Sequence, residues 1–244
     1  MSGKELILGF GIVGGERKIM YLCNYLYFDS NQTDIMEEKT ILYGYKMTHD
    51  TGFAPNPYHG VLTLATCKPR IRKYTKEGHW ISGWTSNEVY DKDYNKHSFT
   101  DSNQKLIYLA KVSKVLSFKD YWEKYPLKKQ PEKSIIEDGK ECFKSCGNVL
   151  ITKSDDIAFC GDNIYEPDAN DTFGFKQHEN PHHGEKEKER DISGEHVLVC
   201  EEFYYFGVEN AIPIEKEGVV HRWKKFPFDK GKEIIDFVKE HYTK

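Results

Sequence analysis

The chain has no apolar run approaching the ~18–20 residues that a membrane-spanning helix needs, so no span is expected. It also lacks an excess of positive charge. With 35 Lys and Arg against 39 Asp and Glu, the formal net charge of -4 argues against broad, sequence-independent binding to duplex nucleic acid, which depends on a large positive field. A local basic site is still compatible with that balance. Several motifs are missing as well: a phosphate-loop lysine motif, HExxH, a GxSxG elbow, and the HxE with PCxxC set of the zinc deaminases. The opening MSGKELILGFG lacks the ordered basic, apolar and small-residue regions of a secretory signal. A cytoplasmic protein is the expectation. The six cysteines, Cys23, Cys67, Cys142, Cys146, Cys160 and Cys200, are scattered through a long chain and are read as reduced thiols, not as a disulfide framework.

What is present describes a folded domain. At 244 residues, 38% hydrophobic and 30% charged, the chain can bury a sizeable core beneath a well solvated surface. Gly9, Gly11 and Gly14 have the spacing of a dinucleotide-binding fingerprint, and Asp29 falls near the ribose-binding position. The residues after Gly15 carry no helix stripe, however, and no alternating strand and helix units follow. A β-hairpin turning at Gly14 and Gly15 is the simpler reading, and no cofactor is assigned. From Thr40 onward, TILYGYKM, GVLTLAT, HWISGW and KLIYLAKVSKVL are β-branched and aromatic runs between turn residues, as strands require. Ser117 and Asp120 form a capping-box pattern that predicts a short helix over SFKDYWEKY. Residues 132–158 and 176–196 read as polar loops, HVLVCEEFYYFG as one strand, and the segment from Asp229 as an amphipathic helix with Asp229 at its N-cap.

Three segments carry the candidate chemistry. In HDTGFAPNPYHGVLTLATCKPRIRK, a polar turn containing Asn56 leads into a strand and then into Lys68, Arg70 and Arg72. If that last part stays extended, the three cations share a face and can hold phosphate. The bland alternative is a charged edge strand protected from aggregation. His49 and Asp50 are a candidate base and orienting group, although neighbours on a strand point to opposite faces. Cys67 is a nucleophile if an adjacent cation activates it, and a small buried apolar residue is the favoured reading. In GDNIY, the groups of Asp162, Asn163 and Tyr165 suit a base edge or sugar hydroxyls, and equally an Asx turn. The third segment gathers His178, His182, His183, Arg190 and Asp191, too many polar groups for a core. The Cys142/Cys146 and His178/His182 spacings fit zinc ligands, but the gap between the pairs is long and Cys160 and His183 compete. No metal is assigned.

These segments, together with GHWISG, LIYLAKVSKVLSFKDYW, RDISGEHVLV and EEFYYFGVENAIP in the same order, resemble the nucleotide modification associated domain 2 family over about Ile41–Pro213. His79 stands where the family pattern carries Asp, so no acid role is assigned there. The resemblance implies association with DNA or nucleotide base modification, in bacterial or phage-conflict settings, and not a particular reaction. The strand spacing is also similar to small β-barrels of the PUA, ASCH and EVE type, in which aromatic side chains flank a base. The resulting expectation is a single mixed α+β domain over 1–244. It has a mainly antiparallel sheet or partly closed small barrel, short peripheral helices and long loops, with a hairpin extension at 1–40 and a C-terminal extension at 214–244. The expected function is recognition of a nucleotide or a base, single-stranded or flipped, with or without catalysis. The alternatives are a non-catalytic reader of modified bases or a scaffold for other proteins of a modification system. Candidate catalytic residues are His49, Asp50, His182, His183 and Asp191. Candidate binding residues are Asn56, Lys68, Arg70, Arg72, Asp162, Asn163, Tyr165, Arg190 and Tyr204.

Overall fold

The computed structural model describes residues 40–129, 161–215, 217–219 and 221–243, together with the backbone of short strands at 135–137, 140–142 and 148–149. The N-terminal glycines, Asp29, Cys146, Cys160 and the Cys142 side chain lie outside the described residues. No helix among those described is long and apolar enough to cross a membrane.

The chain enters β1 (Leu42–Asp50) and passes through β2 (Leu62–Leu64) and α1 (Pro69–Tyr74) to β3 (Trp80–Asp91). β1 and β3 pair in parallel, and the long crossover between them allows that pairing. β4 (Lys96–Ser98), β5 (Lys105–Lys111), β6 (Lys114–Ser117) and α2 (Phe118–Lys124) follow. Beyond the short strands β7 (Ile135–Glu137), β8 (Lys140–Cys142) and β9 (Asn148–Val149) come β10 (Tyr165–Pro167), β11 (Phe175–Gln177) and α3 (Glu185–Ile192). The last elements are β12 (His196–Cys200), β13 (Glu202–Tyr205), β14 (Ile212–Pro213), β15 (Trp223–Lys225) and α4 (Phe228–Tyr242). The main sheet runs β15-β1-β3-β5-β13-β9, with β4 on β3 and β14 on β5. A smaller sheet orders β2-β12-β6. The architecture is α+β with mixed, mostly antiparallel pairing. The expected barrel does not close among the described residues, because the outer strands β15 and β9 do not pair with each other.

Two segments read as single strands each serve both sheets. HVLVCEEFYYFG breaks at Glu201, with β12 in the small sheet and β13 in the main one. KLIYLAKVSKVL divides in the same way into β5 and β6, so an antiparallel ribbon bends from one sheet into the other. Strand alternation then sorts the core into layers. Leu198 and Cys200 face a cluster shared with β1, β3 and β5, while Val197 and Val199 face Phe118 and Tyr121 of α2. On the far side of the main sheet, Trp80, Trp84 and Tyr204 pack against Ile234, Ile235 and Val238 of α4. Tyr204 thus serves the face covered by α4.

Three local expectations change. PRIRKY is helical and not extended, with Lys68 at its N-cap and Pro69 in the first helical turn, where its missing N–H costs nothing. Lys68, Arg70 and Arg72 therefore do not share one face; Arg70 is exposed and Arg72 is fully buried. Residues 176–196 hold β11 and α3 in addition to loop. EKEKERDI consists largely of good helix formers, and the Gly184 N–H donates to Glu187 Oε2 at 3.0 Å, closing the first turn. α4 begins at Phe228 with Pro227 at its N-cap, which places Asp229 in the first turn. The Ser117 cap is as expected, its Oγ accepting from the Asp120 N–H at 3.0 Å.

Candidate functional site

β2 runs into α1 through an abrupt elbow. Cys67 and Lys68 take φ values of 55° and 43°, a left-handed backbone that side-chain-bearing residues rarely adopt and that must be held from outside. Two groups hold it. The Cys67 N–H donates to Asp191 Oδ1 at 2.7 Å, and Arg72 Nε donates to the Cys67 carbonyl at 2.8 Å. Arg72 also donates to the His196 carbonyl at 2.7 Å and to the Asp191 carbonyl. Its guanidinium thus ties the elbow, the end of α3 and the start of β12 together, using geometry that only a planar fork provides. Gly194 makes this possible, since a Cβ there would lie 2.5 Å from the guanidinium.

The elbow presents the Cys67 thiol at an open cleft of about 730 Å³. Thr48 and His49 at the end of β1, Phe53, Lys68, Tyr94 and the His182–His183 pair line it with Cys67. Cys67 Sγ lies 3.2 Å from His183 Nε2, and His183 Nδ1 lies 2.6 Å from Asp191 Oδ2. Asp191 is fully buried and also accepts from the Tyr165 hydroxyl at 2.9 Å. The histidine is set by its own loop: the His182 and His183 N–H groups donate to Asn180 Oδ1, and Gln177 Nε2 and Asn180 Nδ2 donate to the His183 carbonyl. A thiol, an imidazole and a carboxylate in this order can serve as a nucleophile, its proton-transfer partner and the group that orients that partner.

The electrostatics divide the two histidines. Burial pushes the His183 pKa down, but the hydrogen bonds to Asp191 and Cys67 outweigh it and raise the value to about 9, so the ring is an imidazolium at neutral pH. His182 stacks on Phe53 at 4.7 Å between ring centroids. Burial first, and then the positive charges of His183 and His49, push it down to about 4, so it is neutral. Burial also lowers the Lys68 pKa. The Lys68 ammonium donates to the Lys46 carbonyl at 2.8 Å and sits 4.8 Å above the Tyr45 ring.

The other expected residues are placed elsewhere. His49 is exposed at the cleft and stacked on Tyr90, whereas Asp50 is buried and accepts from the Tyr205 hydroxyl and the Val208 N–H, so the two are not a dyad. Asp162 accepts from the hydroxyls of Thr63 and Tyr121 at 2.7 and 2.6 Å. Asn163 donates to the carbonyls of Tyr121 and Tyr125, and Asn56 accepts from the buried Lys128 ammonium at 2.8 Å. These three residues form a sealed polar layer behind β2. Arg190 is exposed, 3.9 Å from Asp191. His178 pairs with Glu166 at 2.7 Å and stacks on Trp122. Cys67, expected from the sequence to be a small buried apolar residue, is half-buried at the cleft. The local signal was the Cys-Lys-Pro run, because a proline at the first helical turn right after a strand marks a sharp elbow.

Donor atoms of Cys67, His183 and Asp191 all fall within 4.8 Å of one another, as do those of Asp91, His97 and Glu209. In the first group the Asp191 carboxylate binds the imidazole nitrogen opposite the thiol, so only Sγ and Nε2 face a common point, fewer protein ligands than zinc takes. In the second, Asp91 already accepts from the backbone of Asp93 and Asn95 and from the side chains of Asn95 and His97.

The sequence matches the family described as nucleotide modification associated domain 2 over residues 39–239, which includes both sheets, the elbow, the histidine loop and most of α4. No curated protein and no solved structure matches the chain. The chain belongs to the nucleotide modification associated domain 2 family.

Proposed function

We propose that this protein is a cysteine-dependent enzyme of nucleotide modification, with Cys67 as the nucleophile that attacks a nucleotide or a nucleic-acid base held in the cleft. The observation that carries this reading is the Cys67–His183–Asp191 relay at the cleft, with 3.2 Å from sulfur to imidazole and 2.6 Å from imidazole to carboxylate. A passive reader of bases has no use for a strained elbow that delivers a thiol to an imidazolium. In the reaction the positive charge of His183 favours the thiolate, and the His183 proton then passes to the atom on which negative charge develops. Asp191 keeps the ring oriented and charged, and Tyr165 and the Cys67 N–H keep Asp191 oriented. Lys68 and His49 stand at the cleft for phosphate or ring oxygens. The family's link to nucleotide modification supports a nucleotide or base as substrate.

The test is alkylation of native protein with limiting iodoacetamide near neutral pH, mapped by peptide mass spectrometry. Cys67 should react far faster than the same thiol in unfolded protein. Deoxynucleoside phosphates or a single-stranded oligonucleotide should slow it by occupying the cleft. A Cys67 that reacts no faster than an unfolded thiol, and that none of these compounds protects, would sink the proposal.

A further inference from the structure

The groups around Cys67 also select the kind of electrophile, an inference that rests on Cys67 being the nucleophile proposed above. In acyl-transfer sites of the serine-protease kind, the nucleophile's own backbone N–H is one of the donors that meet the oxyanion formed on the attacked carbon. Here the Cys67 N–H is turned into the protein, 2.7 Å from Asp191 Oδ1. Lys68, the next residue in the chain, lines the cleft with its ammonium donating to the Lys46 carbonyl at 2.8 Å. Such a site suits an addition in which charge appears several bonds away from the attacked atom. Conjugate addition to a heterocycle has that property. Among nucleobases, pyrimidines offer the carbon it needs, because C6 is conjugated through C5 to the C4=O4 bond of uracil or the C4=N3 bond of cytosine. The corresponding atoms of a purine are ring-fusion carbons, and addition there would break the imidazole ring's aromaticity.

We propose that Cys67 adds to C6 of a pyrimidine nucleotide or base, activating C5 as the position that is modified. The Sγ–C6 bond forms as the C5=C6 electron pair moves onto C5 and, by conjugation, onto O4 of a uracil or N3 of a cytosine. With Nε2 at 3.2 Å from the sulfur, the His183 proton is within reach of C5, the carbon next to the one attacked. Protonation at C5 gives a saturated adduct. Loss of either C5 hydrogen followed by expulsion of the thiolate restores the starting ring, so the cycle needs no oxidant or reductant and exchanges the C5 hydrogen with water. Tyr94, 65% exposed at the cleft, offers an aromatic face against which such a ring can stack.

The experiment measures tritium released to water from deoxycytidine monophosphate, deoxyuridine monophosphate and a single-stranded oligonucleotide carrying [5-³H]cytosine. Release from at least one of them is expected, lost when folded wild-type protein is first alkylated at Cys67 and reduced by about 10²–10⁴-fold in His183→Ala. The alkylated wild type makes the result independent of whether a Cys67 variant folds. No release from any of the three, by protein whose Cys67 shows the expected fast alkylation, overturns the pyrimidine assignment and leaves the nucleophile standing. Slow alkylation together with no release overturns both.

Discussion

Two buried carboxylates grip the same stretch of chain, Asp162 at Thr63 and Asp191 at Cys67, and they end in opposite ways. Each is fully buried and each accepts from a tyrosine hydroxyl, Tyr121 in one case and Tyr165 in the other. Asp162 lies near the Lys128 ammonium, which is itself buried and donates to Asn56 and to the Val61 carbonyl. Every polar group there is turned inward. Asp191 is joined instead to His183, whose second nitrogen faces a thiol at an open cleft. The proposed chemistry therefore sits where a buried network has one member with a second hydrogen-bonding atom left for the cleft. A carboxylate's burial alone does not distinguish the two sites.

The largest expected effect separates the networks by stability. Removing one member of a buried charged network leaves the others without their partner, so Asp162→Ala should lose about 3–5 kcal/mol in urea denaturation. Cys67 alkylation in the protein that remains folded should be unchanged. A parallel loss of thiol reactivity would mean that the two carboxylates work as one network, and the contrast would dissolve.

The next effect is chemical. His183→Ala should slow alkylation of Cys67 near neutral pH by roughly 10–30-fold, since an ordinary thiol is only a few per cent thiolate there. An unchanged rate would remove His183 from the relay.

The adjacent histidines make a third contrast, in pH. For His183 the folded value of about 9 exceeds the unfolded ~6.5, so its stabilisation is complete below pH ~6.5 and is lost as pH rises through about 9. For His182 the folded value of about 4 is depressed, the unfolded chain binds the extra proton, and stability falls as pH drops from ~6.5 towards about 4. Stability from this pair should therefore peak near pH ~6.5. His183→Gln should flatten the alkaline limb of the urea midpoint and His182→Asn the acid limb. Variants that flatten the opposite limbs would reverse the charge states assigned here.

The pattern of what the sequence revealed has a physical reason. Strands and the α2 cap depend on neighbours within a few residues, and those were legible. The histidine-rich segment was legible as a candidate site because so many ionisable groups do not fit a core. The relay was not, because Cys67 and Asp191 are far apart in the chain and meet only through the packing of α1 and α3, the two helices the reading missed. α1 was hidden by a charged, proline-led run that also describes an edge strand. α3 was hidden because its inward face carries Lys188 and Asp191 and so shows no apolar stripe. The Lys68, Arg70 and Arg72 row failed for the same reason, since a helical turn sends Arg72 into the interior as the elbow's clamp while Arg70 stays in solvent.

The smallest expected effect comes from the matched tyrosines. Tyr121→Phe and Tyr165→Phe each delete one hydroxyl bonded to a buried carboxylate, and each should lose about 1.5–3 kcal/mol, the range for hydrogen bonds to charged groups. Their chemical consequences should differ. Asp191 Oδ2 accepts from both Tyr165 and His183, so losing the phenol leaves that oxygen less well solvated and more dependent on the imidazolium. The His183 titration in Tyr165→Phe should therefore move upward from about 9, by less than one unit, and Cys67 should keep its fast alkylation. Tyr121→Phe should leave the titration where it is, because no imidazole shares its carboxylate. A downward shift in Tyr165→Phe would mean that Asp191 loses its charge when the phenol goes.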